Sequence, residues 1–323
     1  MIKTEYMGLE LRSPVIIASG PLTQNIVSLK KCEEAGCGAV VLKSIFEEQI
    51  EADVQKEIEG NADYLQHSSA EDFFASSSRD YYIDRYMKLL TEAKKELHIP
   101  VIASVCAKTM DTWIEYAERF AKCGADAIEL DYYPISSNAA VAGEDVDKAL
   151  LRFAEKARAA IDVPLSMKIG YKYSSLANII SSLDKIGIDG LVLFNRFFRP
   201  DIDIDKIEMS AGRPASSPDE YGEALRWIGL MSGEVKMDLV GNTGIHDGKT
   251  VVKMLLSGAP AAEICTSVIQ NGFQIVGSIN SFVEEWMKEH GFASIKDFKG
   301  MLSQEHMTDG WKWERTQFLK TIN

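Results

Sequence analysis

The chain has 323 residues, of which 46% are hydrophobic, as is ordinary for a packed globular protein. Its formal net charge of −13, from 48 acidic and 35 basic residues, argues against nucleic acid or an anionic membrane surface as the main partner. Five cysteines favour a reduced, cytoplasmic protein without a metal site, and the sequence contains neither a signal peptide nor the run of ~20 apolar residues that a membrane span needs.

Eight short apolar runs alternate with amphipathic segments along the chain. Each run is short enough to be a strand buried on both faces, and each segment between them has apolar residues at the spacing of a helix. The predicted strands are residues 15–20, 39–44, 100–106, 127–132, 164–170, 190–195, 236–242 and 263–268. The predicted helices are residues 25–36, 81–97, 109–123, 144–161, 175–187, 219–230, 247–257 and 273–290.

Eight consecutive strand–helix units predict an α/β fold of the TIM (β/α)8 barrel type. A doubly wound open sheet is the structural alternative, but the units are evenly spaced and show no switch in pattern. No linker divides the chain, so we expect residues 1–323 to form a single domain with a C-terminal helical extension from about residue 291.

Two predicted connections are longer than ordinary loops of this fold. Residues 45–80 follow the second strand and residues 196–218 follow the sixth, and both are polar. Long loops at one end of a barrel commonly form lids or binding walls. For residues 66–80 a disordered insertion is the alternative.

Polar side chains stand at the ends of several predicted strands. They are Lys43 and Ser44 after the second strand, Asp131 in the fourth, Lys168 in the fifth and Asn195 in the sixth. Active sites of TIM barrels lie at this end of the strands, and buried charges are expensive unless they are paired. The pattern therefore predicts a ligand site, with a purely structural ion-pair network as the alternative.

The last two units carry small residues typical of an anion site. GNTGIHDG (241–248) follows the seventh strand, and Thr266 and Ser267 follow the eighth. Backbone N–H groups at these two positions of a TIM barrel frequently hold phosphate. Together with lysines at strands two and five, the pattern suits a phosphorylated flavin, with Lys168 at the pyrimidine edge of the ring. Alternatively or additionally, Lys168 pairs with Asp131.

A set of motifs distributed over nearly the whole chain resembles the class 1 dihydroorotate dehydrogenase family. In order, they are PVIIASG (14–20), VLKS (41–44), ELDYYP (129–134), SMKIG (166–170), VLFN (192–195), LVGNTGI (239–245), EICTSVIQNG (263–272) and GFASIKDFKGML (291–302).

The resemblance implies an FMN-dependent oxidoreductase that converts dihydroorotate to orotate in pyrimidine biosynthesis, and a soluble homodimer. It implies cofactor binding by Ala18, Ser19, Gly20, Lys43, Ser44, Lys168, Gly241, Gly244, Thr266 and Ser267. It also places Asn195 at the substrate, and Lys43 at the flavin and the active-site loop. On that loop, GNADYLQHSS (60–69) departs from the family's pattern but still provides Asn61 and His67.

The segment that carries the catalytic base departs from the family's pattern. Aspartate replaces asparagine at position 131, and the cysteine or serine that normally precedes Pro134 is absent. Because burial raises the pKa of a carboxyl group, Asp131 is the first candidate for the base, with Tyr133 second. An acid here disfavours an anionic substrate unless Arg196 or Arg199 compensates; the alternative for both arginines is a solvated loop.

Two other functions remain open at this point. One is a barrel that binds flavin but does not oxidise dihydroorotate. The other is an aldolase in which Lys168 forms a Schiff base with a phosphorylated carbonyl substrate.

Overall fold

The computed structural model describes residues 2–47, 50–52, 55–56, 68–106, 109–197 and 199–316. Its strands are β1 (Thr4–Tyr6), β2 (Leu9–Leu11), β3 (Val15–Ile17), β4 (Ala39–Val41), β5 (Ile45–Phe46), β6 (Val101–Cys106), β7 (Ala127–Tyr132), β8 (Leu165–Ile169), β9 (Gly190–Leu193), β10 (Pro200–Asp203), β11 (Glu208–Ala211), β12 (Asp238–Gly241) and β13 (Ala262–Ile264). Its helices are α1 (Ile26–Glu34), α2 (Ser68–Glu96), α3 (Met110–Lys122), α4 (Gly143–Ala160), α5 (Leu176–Ile186), α6 (Gly222–Met231), α7 (Gly248–Ser257), α8 (Thr266–Asn271) and α9 (Gln274–His290).

Eight parallel strands close into a barrel, which confirms the predicted fold. Their order is β4, β3, β13, β12, β9, β8, β7 and β6, and pairing of β4 with β6 completes the ring. All eight predicted strands are present within a few residues of their expected limits. The predicted ligand site therefore lies where the fold places catalytic residues, at the carboxyl ends of these strands.

The helices surround the barrel because each buries one apolar stripe against it. Helix α3 illustrates the pattern: the Thr109 side chain accepts a hydrogen bond from the Thr112 backbone N–H and so caps the helix start. Trp113, Tyr116 and Phe120 are buried at helical spacing on its inner face. Local capping and periodicity together fix where the helix begins and which face packs on the strands.

A β-hairpin that the sequence did not predict covers the amino-terminal end of the barrel. Strands β1 and β2 pair antiparallel, and Tyr6 and Leu11 from this hairpin are buried with the lower inward-facing residues of the barrel strands. A β-carbon added at Gly190 would lie 2.7 Å from the Tyr6 hydroxyl oxygen, so the tyrosine reaches the lower end of β9. The hairpin therefore forms a packed floor.

The two long connections are more ordered than the sequence suggests. Helix α2 begins at Ser68 rather than at residue 81, so residues 68–80 are helical and are neither loop nor disordered insertion. Residues 196–218 contain the antiparallel hairpin of β10 and β11. Neither segment has a clear apolar periodicity in the sequence, which explains both misses.

The segment after α9 differs from the predicted helical extension. Gly291 ends α9 with φ 76°, and the described part of the segment contains two 3₁₀ turns, Ile295–Asp297 and Gly310–Trp313, but no α-helix. Trp313 packs against α6, and its indole N–H donates to the Leu302 carbonyl at 2.9 Å. Among the residues that the structure describes, no helix has the length and apolar character needed to cross a membrane.

Candidate active site

The predicted site residues that the structure describes lie at or near the carboxyl ends of the barrel strands. They are Ala18, Ser19 and Gly20 after β3; Lys43 and Ser44 after β4; Asp131 and Tyr133 at β7; Lys168 in β8; Asn195 and Arg196 after β9; Gly241 and Gly244 at β12; and Thr266 and Ser267 after β13. Asn61 and His67 lie outside the described residues.

Strand alternation places acidic side chains inside the barrel one above another. In β7 the inward positions are Ala127 in the floor cluster, then Glu129, then Asp131 at the mouth. The register pairs Glu129 with Ser166 and Asp131 with Lys168 on β8. A polar layer therefore lies directly above the apolar floor.

Lys168 occupies the centre of this layer as one member of a buried ion cluster. Its ammonium lies 3.0 Å from Glu263 Oε2 and 3.9 Å from Glu129 Oε1. Burial lowers the pKa of Lys168, but the carboxylates of Glu263, Glu129 and Asp131 outweigh it, and the pKa is raised above its ordinary value. The expected direct partner, Asp131, is thus replaced by Glu263.

Asp131 is a buried carboxyl group with a neutral hydrogen-bond partner. The side-chain amide of Asn195 donates to its Oδ1 atom, and only 7% of the residue is exposed. Burial raises the pKa of Asp131 to about 6, and this effect exceeds the lowering by Lys168 and by the Asn195 hydrogen bond. Such a group is ionised at neutral pH yet basic enough to accept a proton, as general-base catalysis requires.

The two tyrosines after Asp131 point to different environments. Tyr132 packs outside the strands against Trp113 and Phe153, with ring centroids 5.4 and 5.1 Å away. Tyr133 meets Phe197 edge-on over the barrel mouth, and the Cys106 thiol donates to its hydroxyl at 3.8 Å. Only Tyr133 is therefore placed to meet a ligand.

The larger of two cavities at this end has a volume of about 1000 Å³. Asn195 lines it together with the aromatic rings of Tyr133, Phe194 and Phe197, and Asn242 reaches its edge. Cavities that hold small organic ligands span roughly 300–1,000 Å³ and combine apolar walls with a few polar groups. This cavity matches that description at the upper limit of size.

The second cavity, of about 440 Å³, contains Lys43 and Ser44 beside the start of α1 and the middle of α2. Below it, hydroxyl groups form a chain: the Ser44 and Ser19 oxygens are 2.9 Å apart, and those of Ser44 and Ser104 are 2.8 Å apart. The Ser44 backbone N–H also donates to Ser19. Lys43 and Asn195 thus line different cavities, and Lys168 lines neither.

The predicted phosphate loops approach each other after β12 and β13. Gly244 has φ 73°, and a β-carbon there would lie 2.4 Å from the Tyr221 backbone nitrogen, so this tight turn requires glycine. The Thr266 hydroxyl accepts a hydrogen bond from the Ser216 N–H at 3.2 Å. The Ser267 hydroxyl is fully buried without a hydrogen-bond partner among the described residues. An unsatisfied buried hydroxyl beside a glycine turn fits a phosphate ligand.

Arg196 lines the larger cavity, but its guanidinium is engaged by partners on neighbouring loops. Its guanidinium donates to both carboxylate oxygens of Glu220, at 2.7 and 3.3 Å, and to the carbonyls of Arg213 and Pro214. Its charge is therefore already balanced. Arg199 lines the larger cavity and is exposed.

Sequence reasoning missed Glu129, Glu263 and Cys106 as members of the site. The first two precede a mouth residue by two positions, so strict alternation along AIELDY and AAEICT would have placed them inside the barrel. Cys106 comes from β6 and meets Tyr133 only through strand pairing. No local pattern in the sequence indicates that contact.

The chain was compared with known proteins. A family profile described as "Dihydroorotate dehydrogenase" matches residues 1–287. The catalytic subunit of dihydroorotate dehydrogenase B (NAD(+)) from Methanothermobacter thermautotrophicus is 26% identical over 93% of this chain and 98% of its own length. The same subunit from Pyrococcus abyssi is 26% identical over 93% and 99%.

A relative with a different name is similar over almost the same span. The chloroplastic dihydropyrimidine dehydrogenase (NADP(+)) of Arabidopsis thaliana is 25% identical over 91% of this chain and 75% of its own length. The family match is consistent with the closed barrel and with the polar residues at its mouth. The chain therefore belongs to the dihydroorotate dehydrogenase family and is an oxidoreductase that acts on CH–CH groups.

Proposed function

We propose that this protein is an FMN-dependent dehydrogenase that oxidises the carbon–carbon single bond of a dihydropyrimidine ring, with Asp131 as the proton acceptor. The observation that carries the proposal is the buried Asp131–Asn195 pair at the barrel mouth, with the pKa of Asp131 raised to about 6. A positioned base of this kind contributes roughly 10² to 10⁴ in rate.

FMN would supply the acceptor for the hydride that leaves the neighbouring carbon. Ser267, Thr266 and the backbone around Gly241 and Gly244 would hold its phosphate, and the unsatisfied Ser267 hydroxyl supports this assignment. The Ala18–Gly20 segment, Lys43 and Ser44 would line the ring from β3 and β4. Lys168 would provide positive charge beneath it.

The protein's own residues divide the remaining work. Asp131 accepts the proton, and Asn195 donates a hydrogen bond that orients the carboxylate. Tyr133 and Phe197 meet edge-on and line the cavity that Asn195 also lines. Asn195 and Asn61 are the proposed groups that orient the substrate ring.

Dihydroorotate, for which the relatives from Methanothermobacter thermautotrophicus and Pyrococcus abyssi are named, is the first candidate. A neutral dihydropyrimidine is the second, because Asp131 adds negative charge at the mouth and Arg196 is paired with Glu220 rather than free to meet a substrate carboxylate. The relative from Arabidopsis thaliana, named for dihydropyrimidine, supports this second candidate.

The test is an absorbance spectrum of the purified protein followed by anaerobic titration with dihydroorotate and, separately, dihydrouracil. We expect a flavin spectrum that bleaches with one of the two compounds. A flavin spectrum that neither compound bleaches would support the alternative of a flavin-binding barrel without this activity. A colourless protein that does not take up FMN would contradict the proposal.

The geometry disfavours the Schiff-base aldolase. An amine nucleophile needs a lowered pKa, whereas the carboxylates around Lys168 raise its pKa and keep it protonated. Borohydride trapping of a carbonyl substrate on Lys168 is therefore expected to fail.

We further propose a homodimer in the cytoplasm. The β10–β11 hairpin carries exposed apolar side chains, with Ile202 65%, Ile204 81% and Met209 78% exposed, and thereby offers an apolar surface for a second copy. Light scattering after size exclusion should give twice the 35.9 kDa of one chain. The monomer mass would contradict the dimer.

A further inference from the structure

The ion cluster inside the barrel joins strands that are not neighbours. Lys168 belongs to β8 and Glu263 to β13, with β9 and β12 between them, yet the ammonium and Glu263 Oε2 are 3.0 Å apart. Glu263 and Glu129 are each 1% exposed and Lys168 is 6% exposed. The ion pair therefore crosses the barrel interior and is shielded from water.

The pair lies between two other ionisable side chains inside the barrel. Tyr6 lies below the pair. Burial raises the pKa of Tyr6 most, and the charges of Glu263 and Glu129 raise it further. Asp131 lies above at the mouth. Lys168 is thus fixed between a closed floor and the proposed ligand site.

The two glutamates differ in their contact with Lys168. Glu263 Oε2 accepts a hydrogen bond from the ammonium at 3.0 Å, whereas Glu129 Oε1 lies 3.9 Å away and has no hydrogen-bond partner among the described residues. Burial, then the charge of Glu263, raises the pKa of Glu129 well above its ordinary value and so favours its protonated form. Glu263 is therefore the carboxylate that balances Lys168 most directly.

We propose that Glu263 is a positioning residue: it fixes the Lys168 ammonium beneath the bound ring and, by cancelling part of its charge, limits how strongly the site favours the reduced form of FMN. This inference rests on the proposed function. Its physical basis is that an ammonium paired at 3.0 Å acts on a third group as a dipole rather than as a full charge.

The test is a spectroelectrochemical titration of the FMN-loaded protein, which measures a midpoint potential and does not depend on the substrate. The variants are Glu263→Gln, which keeps shape and removes charge, and Glu263→Asp, which keeps charge and shortens the side chain. Glu263→Asp is expected to have a midpoint potential close to that of the wild type. In Glu263→Gln the affinity for reduced FMN should rise about tenfold relative to the affinity for oxidised FMN. For a two-electron couple this corresponds to a rise of about 30 mV in the midpoint potential.

Glu129 provides the matched control on the same cluster. Because Glu129 lies farther from the ammonium, at 3.9 Å, and burial favours its protonated form, Glu129→Gln should change the ratio of the affinities for reduced and oxidised FMN less than twofold. Glu129→Gln/Glu263→Gln should shift this ratio at least as far as Glu263→Gln alone. The double variant also prevents Glu129 from ionising in place of Glu263.

The outcomes separate this inference from the function on which it depends. FMN binding with an unchanged potential in both Glu263→Gln and the double variant would overturn the positioning role alone. An equal shift in Glu129→Gln and Glu263→Gln would overturn the assignment of the charge to Glu263. Failure of the wild-type protein to bind FMN would overturn the proposed function and this inference together.

Discussion

At the scale of single residues, Asp131 combines a buried carboxyl group with one neutral donor, Asn195. The family's pattern has asparagine here and a separate base nearby, whereas this chain has an acid and no cysteine or serine before Pro134. Burial gives the acid a pKa of about 6. The aspartate therefore places a titratable group where we propose that the proton is accepted.

Asp131 predicts the pH dependence of activity. A base with a pKa of about 6 should make kcat/KM of the FMN-loaded enzyme rise with pH through about 6. Asp131→Asn should lower kcat/KM by roughly 10² to 10⁴ and abolish that rise. Tyr133→Phe is the control and should retain it. An unchanged pH profile in Asp131→Asn would assign the base to another residue.

The same carboxyl group predicts a pH dependence of stability. Its pKa is raised from 3.8 to about 6. Its favourable contribution to the free energy of unfolding is therefore complete below about pH 4 and is lost as the pH rises through 6. Urea unfolding should therefore show Asp131→Asn gaining up to about 3 kcal/mol relative to the wild type between pH 4 and pH 7. If the difference in free energy of unfolding between Asp131→Asn and the wild type did not change with pH, the raised pKa of Asp131 would be contradicted.

At the scale of elements, the β1–β2 hairpin explains how a charged layer can exist inside a barrel. Tyr6, Met7 and Leu11 fill the lower end, so Glu129 and Glu263 are closed off from solvent beneath the mouth. Charges in such a place must pair or take up protons, and the cluster does both.

The packing of this floor is testable at Gly190. A β-carbon there would meet the Tyr6 hydroxyl at 2.7 Å and the Met7 sulfur at 2.9 Å. Gly190→Ala should lower the free energy of unfolding by about 1–3 kcal/mol, the usual effect of overpacking. Gly143→Ala, where no atom lies within 4 Å, is the matched control. Equal stability of the two variants would show that the hairpin does not pack as described.

Helix α2 shows how an element was misjudged from local signals. Residues 68–80 are rich in serine and acidic residues, which favour loops, yet they continue the same helix as the apolar residues that follow. Ile83, Tyr86 and Leu90 pack in the hydrophobic core and stabilise the helix to which residues 68–80 belong.

At the scale of the whole molecule, the barrel brings together residues from seven strand ends into one mouth. Binding of FMN there should stabilise the folded state by mass action, by about 2.7 kcal/mol at a concentration 100 times Kd. For a chain of this size that corresponds to a rise in Tm of about 4 °C. Thermal denaturation of the flavin-free protein with added FMN measures it.

Riboflavin is the control for the phosphate part of that site. Because it lacks the phosphate that Thr266 and Ser267 are proposed to hold, it should shift Tm much less at the same concentration. Ser267→Ala should reduce the FMN shift and leave the riboflavin shift unchanged. Equal shifts by FMN and riboflavin would place the phosphate elsewhere or exclude such a site.

The amino-acid sequence alone determined the repeating architecture and the positions of the mouth residues. Periodicity of two in the strands and of 3.6 in the helices is a local property, and TIM barrels place polar strand ends at one face. For this reason the position of Asp131, Lys168 and Asn195 at the barrel mouth could be predicted before any contact was known.

Only the tertiary structure decided how those residues interact. The pairing of Lys168 with Glu263, the contact of Cys106 with Tyr133 and the capture of Arg196 by Glu220 join residues 95, 27 and 24 positions apart. Burial inside a closed barrel then raises the pKa of Asp131 and of Glu129. Such effects depend on distance through space and on exclusion of water, which no local sequence pattern encodes.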